Sequence, residues 1–174
     1  MTQTLRRTRG RPRAANGSET RERIIRAARQ VFSELGYDAA TFQAIAERAD
    51  LTRPAINHYF ANKRALYQEV LTATNAALIT AGVTAAATQT TLVDRLSAFL
   101  SGTLLAHREY DSAAAFLVTS MLESQRHPEL SQDSYAPPRD EVRTFVRAAV
   151  TEAVADGQFD PSTDRTPWWT CCWC

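Results

Sequence analysis

Neither tryptophan nor cysteine occurs in the first 167 residues of this 174-residue chain; three of each sit in its last seven positions, in "TPWWTCCWC". The body of the chain therefore has no disulfide framework and no cysteine zinc module. Cys171 and Cys174 stand at CxxC spacing, but no second ligand pair matches them. His58, His107 and His127 read as isolated from acidic or cysteine companions, so no metal and no cofactor is expected. No run of about 18 apolar residues is present, so no membrane span is expected. No apolar stretch follows the basic start "MTQTLRRTRGRPR", so it does not read as a secretory signal and a cytoplasmic location is expected. GxSxG, a phosphate loop, a paired His-Glu helix motif and a dinucleotide glycine fingerprint are all missing, which speaks against an enzyme. No segment alternates with period two, and no internal repeat is found. The chain reads as all-α.

What is present is uneven charge. Residues 1–69 carry 13 Lys plus Arg against 7 Asp plus Glu, net +6; residues 70–174 carry 7 against 12, net −5. The first part suits a polyanion and the second does not. Residues 1–17, with five arginines and hardly an apolar side chain, read as a disordered basic arm. Ser18 or Thr20 can cap a first helix, whose Ile24, Ala28, Val31, Phe32 and Leu35 recur at helical spacing. Gly36 stands where a left-handed helix cap belongs. Thr41 caps a second helix, Thr52 a third with Pro54 in its first turn, and Asn62 a fourth. Beyond Gly82 the periodicity stays helical. Ala114 to Leu122 is apolar nearly all round and is expected to be buried. Val142 to Val154 forms a wide apolar stripe, the first candidate for a subunit seam.

Two short helices joined by a tight turn, the second of them polar, form a helix-turn-helix pattern. Ile56 and Phe60, four apart, can face the first helix. Thr52, Arg53, Asn57, His58 and Tyr59 then point elsewhere. Arginine pairs with guanine, asparagine with adenine and a threonine methyl with thymine. Lys63 and the start of the fourth helix suit phosphate. An ordinary helical hairpin is the alternative.

The segment "RERIIRAARQVFSELGYDAATFQAIAERADLTRPAINHYFANKRALYQEVL", residues 21–71, resembles the TetR/AcrR family of bacterial transcriptional regulators. It does so through "AARQVFSELGY", the Thr41 cap and "YFANKRAL". The resemblance implies an all-α homodimer with a helix-turn-helix domain, residues 18–66, and a helical ligand-binding and dimerisation domain, residues 67–174. It implies a palindromic double-stranded DNA operator and release by a small-molecule effector. The chain departs from the family at Asp50, where glycine is usual, and at Asn57, where an aromatic is usual. Aspartate tolerates left-handed geometry, so the turn is expected to survive. Asn57 is free to read a base.

Arg11 and Arg13, in "RRTRGRPR", resemble a minor-groove hook, with a solvated tail as the alternative. Thr103, His107, Phe116, Thr119, Met121 and Gln125 are candidates for effector contact; plain core is the competing reading of Phe116 and Met121. The Trp/Cys-rich end reads as an abrupt replacement of a further interface helix, leaving the regulatory domain truncated at its C-terminus and the dimer weak. An architectural or truncated DNA-binding protein without ligand response remains the alternative to a ligand-responsive repressor.

Overall fold

The computed structural model describes residues 13–110, 112–132 and 138–159, which form eight helices and no strand. They are α1 (Arg13–Ala39), α2 (Phe42–Arg48), α3 (Arg53–Tyr59), α4 (Lys63–Ala86), α5 (Leu92–Glu109), α6 (Ala113–Arg126), α7 (Pro128–Gln132) and α8 (Pro138–Ala155). Arg11 and the Trp/Cys-rich end lie outside the described residues. The first helix begins at Arg13, earlier than its capping serine suggested. "RAA" is made of strong helix formers. Ser18 lies inside the helix, where its Oγ donates to Glu22 Oε1 at 3.3 Å.

Gly36 corrects a second expectation. Its φ is +75° as a left-handed cap requires, but its ψ is 176°. That combination is open essentially to glycine alone. The residue is a sharp break in α1 rather than a left-handed cap, and it redirects the chain towards Thr41.

The chain divides into two compact units. The first comprises Met1–Asn75 with Tyr110–Tyr135, and so adds α6 and α7 to the helices that the sequence assigned to DNA binding. Ile24, Phe32, Ile45, Ile56, Leu66, Val70 and Phe116 are fully buried in it. Phe32 packs edge-on against Tyr67 at 5.0 Å between ring centroids and lies 6.4 Å from Phe116. Burying each such side chain contributes roughly 1.5–3 kcal/mol, which is how α1, α4 and α6 are held around one aromatic cluster. Contrary to expectation, α6 is not buried all round. Ala113 and Phe116 are inside, while Val118, Met121 and Leu122 are 62%, 69% and 55% exposed.

The second unit comprises Ala76–Glu109 with Ala136–Cys174. Gly82 does not end α4 but lies within it, at the crossing with α5. A Cβ on Gly82 would stand 2.6 Å from Thr103 Oγ1, and one on Gly102 would stand 2.8 Å from the Ala81 carbonyl oxygen. The two glycines let the backbones of α4 and α5 approach closely. Gly102→Ala presses against backbone that cannot rotate away, and is expected to cost about 1–3 kcal/mol. Urea unfolding of the full chain followed by circular dichroism reads this; an unchanged midpoint would refute the tight crossing.

Helix α8 turns its stripe inward. Phe145 stacks on Phe99 of α5 at 4.6 Å, Ala149 and Ala153 are buried, and Arg95 pairs with Glu152. Much of the expected seam is thus consumed within the chain. Among the described residues, the large apolar side chains exposed on this unit are Val93, Leu100, Leu104 and Leu105 on α5 and Val83 and Val154, all at least 39% exposed.

Candidate nucleic-acid interface

Short helices need local signals to start them, and each of the three after α1 has one. Thr41 Oγ1 accepts from Ala44 N at 3.1 Å, Thr52 Oγ1 from Ala55 N at 3.4 Å and Asn62 Oδ1 from Ala65 N at 2.9 Å. Each cap satisfies a first-turn donor that the helix cannot. Pro54 occupies the first turn of α3, where its missing N–H costs nothing. Between α2 and α3 the chain turns at Asp50, whose φ is +52°. The left-handed conformation expected at this position is therefore present, carried by aspartate in place of glycine.

The two faces of α3 differ. Ile56 and Phe60 are 0% and 4% exposed and lie in the core. Thr52, Arg53, Asn57 and His58 are exposed. Tyr59 departs from the expected set: it is half-buried, packs against the core and meets the His58 ring edge-on at 5.3 Å. The exposed members of the expected set are therefore Thr52, Arg53, Asn57 and His58.

Three arginines that sequence inspection passed over hold this arrangement. Arg23 of α1 donates from Nη2 to the carbonyls of Ala49 (2.6 Å) and Asp50 (3.3 Å), tying the turn to α1. Arg48 of α2 makes a two-pronged pair with Glu34, at 2.8 and 2.7 Å, which holds the Glu34 carboxyl below its ordinary range. Arg21 pairs with Glu69 and lies 5.0 Å over the Phe60 ring, joining α1, α3 and α4. The signal was the count of arginines in α1, but a count does not tell a bracing guanidinium from one kept for phosphate.

Lys63 is the only lysine in the chain. Its Nζ donates to the carbonyls of Tyr37 (2.7 Å) and Asp38 (3.0 Å) and sits 4.5 Å from the Tyr37 ring centroid. It closes the loose carbonyl end of α1 with two of its three N–H donors. Thr41 is exposed at the start of α2. Arg13 opens α1.

The effector candidates are divided between the two units. Thr103 and His107 are half-buried on α5 in the second unit; Thr103 Oγ1 donates back to Phe99 O at 2.9 Å. Phe116, Thr119 and Met121 are on α6 in the first unit, Phe116 in its core and Met121 exposed. Gln125 is exposed near the end of α6. A groove of about 480 Å³ in the second unit is lined by none of them; Ile79, Thr80, Val83, Thr84, Asp140, Glu141 and Thr144 form it.

A capped pair of short helices, a left-handed turn and a second helix with one apolar and one polar face define a helix-turn-helix domain. Residues 24–70 match the model of the bacterial regulatory proteins of the tetR family. The transcriptional regulator UidR of Escherichia coli strain K12 is 38% identical over 52 residues, 30% of this chain and 26% of that one. The transcriptional repressor BepR of Brucella suis is 42% identical over 57 residues, 33% of this chain and 27% of that one. The matched segment thus spans about a quarter of these curated relatives. The crystal structure of the TetR family regulator PfmR from Thermus thermophilus superposes with a TM-score of 0.61 at 27% identity, covering 79% of this chain and 73% of that one. Residues 24–70, which lie in the first unit, are thus similar to the tetR family of bacterial regulatory proteins, and the fold is similar to that of a TetR family regulator. No helix among the described residues is long and apolar enough to cross a membrane.

Proposed function

We propose that this chain is a one-component repressor that binds a palindromic operator as a homodimer and releases it when a small molecule binds the second unit. The observation that carries the reading is α3 itself: Ile56 and Phe60 are buried while Arg53, Asn57 and His58 are left free on the opposite side. A helix built only for packing has no use for that second face. Arg53 supplies a fork for guanine O6 and N7, and Asn57 a donor and acceptor for adenine. Residues 6–13 add contacts in the flanking minor groove. Val93, Leu100 and Leu104 share one side of α5 and are exposed, giving the second unit an apolar stripe that a second copy can cover. In the dimer the two α3 helices stand about 34–36 Å apart, one turn of B-DNA. The effector acts by favouring a different spacing. The groove beside Asp140 and Glu141 is the place offered for it.

Selection of duplexes from a random pool by the full chain tests this. Enrichment of an inverted repeat with half-site centres about 10 base pairs apart is expected, with affinity falling steeply as salt rises. Retention of DNA without any enriched sequence would favour the architectural alternative, and no retention at low salt would overturn both.

A further inference from the structure

The end of α1 is gripped from two sides within the first unit. Lys63 holds the carbonyls of Tyr37 and Asp38 from α4, as described above. From the other side come α6 and α7. Glu123 Oε1 accepts from the Tyr37 amide at 3.3 Å, close against Gly36, where a Cβ would stand 2.9 Å from the same oxygen. The His127 ring lies beyond, its Nε2 3.2 Å from Asp38 Oδ2 and 3.7 Å from Glu123 Oε2, its Nδ1 3.1 Å from Glu129 Oε1. This histidine, isolated in sequence, is thus surrounded by carboxylates in the fold.

Both ring nitrogens therefore face carboxylate oxygens. A neutral imidazole has one N–H, and would turn a lone pair towards one of those carboxylates; only the imidazolium donates on both sides. Glu123 adds to the demand. It is 5% exposed and its Oε2 has no hydrogen-bond partner, so the nearby ring is the group that can offset its burial. Among the described residues no group of three His, Cys, Asp or Glu side chains has a metal-holding arrangement.

We propose that His127 is a proton-operated latch that ties α6 and α7 to the turn between α1 and α2, closed when its ring carries two protons and open when it carries one. The groups that face it are Asp38 from the end of α1, Glu123 from α6 and Glu129 from α7, with the Tyr37 ring 5.4 Å away. The cations Lys63 and Arg64 approach from α4, and Arg64 donates to the Glu129 carbonyl. Burial alone would lower the pKa of His127; the hydrogen bonds to Glu129 and Asp38 outweigh it and raise the value above 6.5. Glu129 is held below its ordinary range by its own backbone N–H and then by His127, so it stays ionised throughout. A histidine with a raised folded pKa contributes stability that is complete below 6.5 and is lost as pH rises through the raised value.

Under the proposed function, the latch couples α6 to the turn that feeds Thr41 and the DNA-binding helices. Its test needs no DNA, so a failed operator search leaves it standing. Amide hydrogen exchange of the full chain is followed in peptides covering 36–41 and 120–130, with rates corrected for intrinsic base catalysis. Protection in both segments is expected to fall about fivefold between roughly pH 6 and pH 8. His127→Gln removes the step and leaves both segments fast at either pH. His127→Lys, charged throughout, keeps them slow at either pH. Glu129→Gln, at an exposed position, moves the step to lower pH while keeping the fold. A wild-type protein with no step, or a His127→Gln variant with the same step as wild type, would overturn the latch.

Discussion

Phe116→Ala is expected to destabilise the first unit by about 3–5 kcal/mol, the cost of an unfilled cavity at a large core position. The side chain is fully buried, 5.6 Å from Tyr67 and 6.4 Å from Phe32 between ring centroids. It is the main apolar anchor of α6 in the core that also holds Ile56 and Phe60. The loss therefore falls on the positioning of α3 as well as on α6. Sequence spacing left Phe116 open to an effector contact, and the two roles give different results. A core residue lowers the denaturation midpoint in the absence of any small molecule. An effector contact would leave that midpoint in place and change only the release of DNA. Met121, 69% exposed on the same helix, is the comparison: Met121→Ala should stay within about 0.5 kcal/mol of wild type.

Arg53→Ala and Asn57→Ala are each expected to weaken binding to the selected operator by about 1–3 kcal/mol, with relaxed choice at one base pair per half-site. Both side chains are exposed and belong to no described brace, so the folded state should lose little. The distinguishing readout is a panel of operators changed one base pair at a time. A base-reading residue loses discrimination at one position only. A phosphate contact weakens every operator alike and flattens the salt dependence by about one unit. Wild-type discrimination in both variants would remove α3 as the reader.

How much was legible in the sequence follows from the range of each interaction. The caps at Thr41, Thr52 and Asn62 act within three residues, so spacing alone located α2, α3 and the start of α4. The alternation of Ile56 and Phe60 with Arg53, Asn57 and His58 was visible for the same reason. Asp50 could be assigned a left-handed turn because few other residues tolerate one. What spacing could not give depended on partners brought in by packing. The reason for a glycine at position 82 is α5, whose Thr103 and Phe99 occupy the space a side chain would need. The two carbonyls that hold Lys63 lie at Tyr37 and Asp38, beyond the reach of any local spacing rule. His127 looked isolated because one of its carboxylate partners, Asp38, stands 89 positions away.

By itself, then, the sequence determined an all-α chain with a basic helix-turn-helix in its first part, since helical period, capping and charge are local quantities. Tertiary structure alone decided which charged groups serve the fold and which remain exposed. Arg23, Arg48 and Lys63 are spent on carbonyls and a carboxylate, while Arg53 remains exposed. The physical reason is that a donor's role depends on the acceptor it meets, and here those acceptors are brought within 3 Å by packing of α1 against α2 and α4.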